Sequence, residues 1–261
     1  MESCWWWGRA AGSLVAVALA VPAAGETRCA PPSDEIVTDR PDVTNSSIVV
    51  PAGSLQIENG VNLTASGASR LLDGTNTRLR LGVAPCFELL ADLPEAVVRL
   101  RGPAPGGVSN LTPAVKWQLG PLPGEIDLSA TAGIGVPTGT RRLVGRGVQP
   151  YVQFPWSREI AGGWSTSGMF TTFFTPAQAS KHREEGTLVL ERAIGEHADL
   201  FVEYVGEFPD QGGPSHALNS GGSYRRTPRQ QIDFHVQFGL NHNAPSYVLG
   251  IGYSFRFDRL F

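Results

Sequence analysis

Apolar residues recur at every second position through most of this chain, and that pattern constrains its fold more than any other feature. Period-two alternation places apolar and polar side chains on opposite faces of a strand. It is clear in Leu55, Ile57, Val61 and Leu63 against Gln56, Glu58, Asn62 and Thr64. It returns in Leu79, Leu81 and Val83, in Phe87, Leu89, Ala91 and Leu93, and in Val115, Trp117 and Leu119 against Lys116 and Gln118. Ile126, Leu128 and Ile134 oppose Asp127, Ser129 and Thr131. Further strands are expected around Val148–Trp156, over Trp164–Phe173 and Thr187–Ile194, and where Leu200, Val202 and Tyr204 flank Glu203. Ile232, Phe234, Val236 and Phe238 alternate with Asp233, His235 and Gln237, and Tyr247 to Phe257 keep six apolar residues on one face. With a weak, Gly-rich strand over Ala217–Tyr224 the count is about twelve. Glycine (31) and proline (20) are too frequent for a helical bundle.

The connections between these strands fall near 66–76, 84–86, 94–108, 120–124, 137–147, 157–162, 174–186, 195–198, 208–216, 225–228 and 241–246. Long and short alternate almost throughout. Outer-membrane barrels have short periplasmic turns and longer extracellular loops, which produces this rhythm. The Greek-key crossovers of a soluble β-sandwich mix the lengths instead. The expected fold is therefore all-β, a transmembrane antiparallel up-and-down β-barrel. Trp117, Trp156, Trp164, Tyr204 and Tyr253 suit its interfacial girdles. Tyr253, Phe255, Phe257 and the terminal Phe261 resemble the ending by which such barrels are recognised for assembly, with Arg259 breaking the pattern unless it is counted from Phe257. Outer-membrane lipid and the barrel-assembly machinery are the partners this implies. An ordinary buried C-terminal strand is the alternative.

Residues 1–25 read as a secretory signal: Arg9, the apolar stretch Ala10–Ala24, and small residues around Val21–Gly25. A spanning helix would need about 18 or more apolar residues, and Pro22 interrupts this shorter run. Cleavage near residues 23–25 would export the chain to the outer membrane of a Gram-negative cell. The chain then divides into the signal peptide (1–25), a periplasmic N-terminal segment (26–52), the barrel (53–257) and a short tail (258–261). The segment 26–52 contains Pro31-Pro32 and Asp39-Arg40-Pro41-Asp42, which cannot extend a helix or central strand. Ile48-Val49-Val50 offers something to bury, so the segment is expected to occlude the barrel mouth partly.

Cys4 leaves with the signal peptide. An outward first strand and a returning second put the turn Ala84-Pro85-Cys86 on the periplasmic side with Cys29, in an oxidising compartment. A Cys29–Cys86 disulfide is expected, two free thiols being the alternative. Three cysteines without C-x-x-C argue against zinc or thioredoxin-type chemistry, and no metal or cofactor is expected. A net charge of −3 and a pI near 6.0 give no footprint for nucleic acid.

Asp39-Arg40-Pro41-Asp42, followed by Val50-Pro51-Ala52-Gly53-Ser54-Leu55-Gln56-Ile57-Glu58-Asn59-Gly60, resembles the start of the "meta-pathway of phenol degradation" family of outer-membrane barrels. Val136-Pro137-Thr138-Gly139, Phe201-Val202-Glu203-Tyr204, Gln231-Ile232-Asp233 and Gly250-Ile251-Gly252-Tyr253-Ser254-Phe255-Arg256-Phe257 extend the resemblance over 36–257. It implies a transporter-like barrel and no particular substrate.

The charged residues of the strands share the polar face: Glu58, Arg78, Arg80, Glu88, Asp92, Lys116, Asp127, Glu203, Asp233 and Arg256, with His235 among them. Inside a barrel they line a pore or cross-link the walls. Eight-stranded barrels are filled and those of about sixteen leave a channel, so twelve strands lie between. The near-balance of six acids and four bases favours ion pairing over a strongly selective pore. Catalysis would need a histidine to activate a serine nucleophile. Ser165 and Ser167 sit in Gly163-Trp164-Ser165-Thr166-Ser167-Gly168, which is not G-x-S-x-G, and His182, His216 and His242 fall in expected loops. Gly133–Gly139 lacks the lysine and helix of a nucleotide loop. Passive uptake of small, rather apolar or aromatic molecules ranks first, a filled structural barrel second and a hydrolase third.

Overall fold

The computed structural model describes Cys29, residues 33–175 and residues 180–261. The signal-peptide reading of 1–25 and the Pro31-Pro32 pair lie outside them.

Fourteen strands account for most of these residues: β1 (Leu55–Ser66), β2 (Ser69–Ala84), β3 (Phe87–Asp92), β4 (Ala96–Arg101), β5 (Gly107–Val108), β6 (Thr112–Leu122), β7 (Ile126–Gly135), β8 (Gln149–Ile160), β9 (Trp164–Phe174), β10 (His182–Ile194), β11 (Ala198–Pro209), β12 (Ser215–Thr227), β13 (Gln230–Gly239) and β14 (Tyr247–Phe257). Only one short helix, α1 (Arg141–Val144), joins them among the described residues. Both β3 and β4 pair with β2, along its two halves, so they are one wall strand broken at Leu93–Glu95. β5 and β6, the partners of β4 and β3, form another broken strand. The fourteen strands therefore make twelve staves. All neighbours are antiparallel, and β1 pairs with both β2 and β14, which closes the sheet. A closed sheet has no edge in the apolar layer, so its backbone groups are paired internally.

Its side chains are distributed inside out relative to a soluble protein. Ile251 (61% exposed), Phe234 (57%) and Leu188 (55%) face outward, whereas Glu58, Lys116 and Glu203 are fully buried. Apolar residues on the outer face and charges within suit a wall surrounded by lipid. β14 carries its six outward apolar positions over 11 residues, the length a tilted strand needs to cross. Phe87 stacks on Trp117 on the outside, with ring centroids 5.7 Å apart.

The C-terminal residues, Cys29 and the turns 85–86, 123–125, 161–163, 195–197 and 228–229 lie at one end of the barrel. The opposite end carries the connections 136–148, 210–214 and 240–246, with Thr175, Ser180 and Lys181 beside them. Four expectations are corrected here. The long loop at 66–76 is a two-residue turn, because β2 extends up to Ser69. The loop at 94–108 contains β4 and β5. His182 and His216 are strand residues, not loop residues; the His216 ring stacks on Tyr204, and its Nδ1 lies 2.7 Å from the Tyr204 hydroxyl. The weak strand at 217–224 is a full 13-residue stave whose Ala217 and Asn219 point inward and Leu218 and Tyr224 outward.

Residues 33–52 have no helix or strand, and they do not stop at the mouth. They enter the barrel as a plug against its inner wall, where Ile36, Asp39, Thr44, Asn45, Ser47, Val49 and Val50 are buried. Cys29 is disulfide-bonded to Cys86 in the β2–β3 turn, with Cα atoms 5.5 Å apart. The plug is thus held covalently at both ends, through this bond and through β1.

Candidate functional site

A coil inside a barrel poses a hydrogen-bonding problem. Its backbone groups are hidden from water and have no ladder partner, yet buried N–H groups must be paired. Here the wall side chains supply the acceptors. The Glu58 carboxylate accepts from Asp39 N, at 3.0 and 3.1 Å to its two oxygens. Glu203 accepts from the backbone of Val43 and Thr44, both at 2.9 Å, and from the Thr44 hydroxyl at 2.8 Å. The Gln118 amide oxygen takes Val49 N at 3.1 Å, and Glu88 takes Val50 N at 2.7 Å. Wall donors complete the match: Arg80 reaches the carbonyls of Val37 and Ile48, Lys116 that of Ser46, and Arg256 those of Ser33, Asp34 and Glu35.

Register explains why the charges meet. Glu58 is directly opposite Arg78, which is opposite Asp92, and Glu88 is opposite Lys116. Opposite charges across a strand pair attract. The plug then adds Asp39 at the centre. Its carboxylate lies 3.1 Å from Arg80, 2.9 Å from Arg78 and 3.4 Å from Lys116. Arg80 also reaches Glu58 at 3.2 Å and Glu88 at 3.1 Å, and Lys116 reaches Glu88 at 3.2 Å. Burial alone would raise the Asp39 carboxyl, but Arg80, Lys116 and Arg78 outweigh it and hold the group well below the usual carboxylate range. Charges this deeply buried persist only when paired and hydrogen-bonded.

Across the lumen, Arg40 of the plug pairs with Asp233 at 3.2 Å. The close approach depends on glycine: a Cβ at Gly252 would stand 2.5 Å from Arg40 Nε, and one at Gly82 only 2.2 Å from the Pro51 carbonyl oxygen. His235 is held between two side-chain amides, with Asn219 and Asn62 oxygens each 3.2 Å from a ring nitrogen. Its near neighbour in sequence, Asp233, is engaged by Arg40 instead. Asp127 lies near the terminal rim, and its Oδ1 has no partner. The charged strand residues of the polar face thus meet mainly in one network. The residues that sequence reasoning missed are its centre, Asp39, and the uncharged wall partners Gln118 and Asn219. Asp39-Arg40-Pro41-Asp42 was visible as a motif, but nothing in its spacing places it inside a barrel.

Between the plug and the loops of the opposite end lies a cavity of about 890 Å³. Arg40, Asp42, Val43 and Asn45 form its floor, Arg78, Glu95, Tyr151, Phe173 and Arg183 its walls, and Leu143 and Val144 of α1 line it from the loop between β7 and β8. The Tyr151 and Phe173 rings are neighbours at 5.9 Å, and the Arg183 guanidinium sits 4.3 Å from the Phe173 ring centre.

The sequence matches the family described as "Putative MetA-pathway of phenol degradation" over residues 38–257. The chain belongs to that family. The match begins at Thr38, so the family region includes most of the plug as well as the barrel. Among solved structures, this family member is similar to an outer membrane channel from Pseudomonas putida F1, at 13% identity and a TM-score of 0.61, covering 80% of this chain and 97% of that one. It is also similar to the KdgM porin, at 8% identity and a TM-score of 0.55, covering 77% and 99%. At these identities the likeness is one of fold. No curated protein matches by sequence. The family member is an outer-membrane barrel, a class whose short turns are the periplasmic ones. No helix among the described residues is long and apolar enough to cross a membrane, which leaves crossing to the strands.

Proposed function

We propose that the barrel is a channel for passive uptake of small, apolar or aromatic molecules, with the plug as its periplasmic closure. The observation that carries this reading is the cavity of about 890 Å³ between the extracellular loops and the plug, with Tyr151 and Phe173 side by side on its wall. Its size is that of a small-molecule site. Aromatic walls supply apolar contact, and Arg40, Arg78 and Arg183 can hold a hydroxyl or carboxylate substituent. The plug ends the path below, so passage requires it to shift. The barrel does no chemistry in this reading: His235 has amide partners where a hydrolase would need a nucleophile. The mature chain starts after cleavage near residues 23–25, which N-terminal sequencing of membrane-extracted protein tests, and its C-terminal strand is recognised by the barrel-assembly machinery.

Planar-bilayer recordings and vesicle swelling with phenol-class solutes test the channel. The full mature chain should conduct rarely, and a variant lacking residues 33–48 should show frequent discrete steps and faster swelling. A second reading, a filled barrel with a structural role, is favoured by the ion network at Asp39. Silence from both proteins, each folded, would establish that reading instead.

A further inference from the structure

Seven arginines of the plug, wall and C-terminal strands (Arg40, Arg78, Arg80, Arg183, Arg225, Arg229 and Arg256) each form an ion pair with a carboxylate. Arg70 and Arg101 do not, and they differ from the other unpaired arginines in facing each other across a strand pair. Arg70 on β2 is directly opposite Arg101 on β4. Like charges placed directly opposite on one face repel. Among the described residues neither has an acidic partner and Arg101 makes no side-chain hydrogen bond; Arg70 contacts the Gly67 and Ser69 carbonyls and the Tyr247 ring, 5.7 Å from its centre.

Alternation fixes the direction of Arg70, and a bulge at Leu100, between the Leu71–Arg99 and Arg70–Arg101 pairs, brings Arg101 opposite it. Leu72 and Val98, two positions along β2 and opposite each other, are exposed on the lipid-facing surface. Arg70 and Arg101 share that face, next to Ala65 of β1 and Tyr247 of β14. The acids of these strands point elsewhere: Glu95 lines the cavity, and Asp73 is opposite Asn62, whose side chain meets His235 inside. An unopposed guanidinium pair beside a lipid-facing apolar surface, at the extracellular end, needs an anion that lipid can deliver. Guanidinium groups bind phosphate through paired hydrogen bonds, and basic clusters at a membrane boundary attract anionic head groups.

We propose that Arg70 and Arg101 form a binding site for the phosphate groups of an outer-leaflet glycolipid. The site is independent of what passes through the lumen, so failure of the channel reading leaves it standing. The test uses the full mature barrel, reconstituted in vesicles containing lipid A, and native mass spectrometry to count retained lipid. Wild type should retain phosphorylated lipid A, R70Q/R101Q at least ten-fold less, and R259Q, altered in the periplasmic tail, as much as wild type. Lipid A stripped of phosphate should be retained as poorly by wild type as by the double variant. Equal retention by wild type and R70Q/R101Q, or of the stripped lipid, overturns the proposal. Displacement of lipid A by excess inorganic phosphate would assign the site to a soluble anion and overturn the lipid assignment. If the double variant does not assemble, R101Q decides with the same outcomes, because that side chain makes no hydrogen bond that the fold needs.

Discussion

Replacing Arg80 with methionine should loosen the plug without opening the barrel wall. Arg80 is fully buried and touches three carboxylates, those of Asp39, Glu58 and Glu88, as well as the carbonyls of Val37 and Ile48. Without it, Arg78 and Lys116 still reach Asp39 and Lys116 still reaches Glu88, but Glu58 loses its ion-pair contact. Removing one partner of a buried ion pair costs about 3–5 kcal/mol. If that cost falls on the seated state, local opening becomes about a hundred-fold to a few thousand-fold more frequent. Amide exchange reads local opening directly. The Asp39 and Val50 amides, which donate to Glu58 and Glu88, should exchange faster by that factor. The Val43 and Thr44 amides, held by Glu203 across the lumen, should follow if the plug opens as a unit. Heat-modifiable migration and unchanged exchange in the strand amides would show that the barrel itself is intact. Unchanged exchange at Asp39 and Val50 in such a barrel would refute the idea that the Arg80 network seats the plug.

Cys86→Ser should leave the plug attached only through β1; with a separation of 57 residues the bond is worth about 4 kcal/mol in the chain-entropy model, and denaturant midpoints equal to wild type would contradict this. Gly82→Val should push Pro51 from the wall and raise the rate of vesicle swelling, since even a Cβ would stand 2.2 Å from that carbonyl oxygen; an unchanged rate would mean that plug position does not limit passage. In the plug, which does not itself cross the membrane, burial pushes the Asp42 carboxyl well above its usual range, and Glu203 and Glu191 add to the effect. A raised acid opposes seating: the opposition is absent below the ordinary carboxylate range, grows as pH rises from there towards the raised value, and is complete above it. Asp42→Asn should therefore seat the plug more firmly at neutral pH, seen as slower Val43 and Thr44 exchange; equal exchange in the two proteins would count against it.

The wall was legible wherever strands face lipid on one side and charge on the other. β13 and β14 could be read almost residue by residue, because Ile232–Phe238 and Tyr247–Phe257 alternate without a break. β2 was shortened because Gly67, Gly74 and Asn76 look like turn residues. β4 was lost because Ala96-Val97-Val98 is continuous rather than alternating and sits between Pro94 and Pro103. β10 starts early with His182-Arg183-Glu184-Glu185, a charged run that reads as a loop until an inner wall is available for Arg183 and Glu185. The polar face and its ion pairing are legible in the sequence, but the coil that the face holds is not. Glu58, Glu88 and Glu203 are spaced as strand residues, and nothing local shows that each will accept a backbone N–H from a coil far away in sequence.

The Cys29–Cys86 bond also bears on the order of assembly. With the intervening chain it closes a ring through residues 29–86, which holds the described plug residues, β1 and β2. Every covalent restraint on residues 33–52 is therefore encoded before β3 begins, in the first third of the chain. That ring can be complete in the oxidising periplasm while β6 to β14 are still unpaired, and before β14 meets β1 to seal the wall. The later staves then close around an object already tied in place. A molecule made this way is not a pipe that is stoppered after it is finished; it is a wall raised around its own cork.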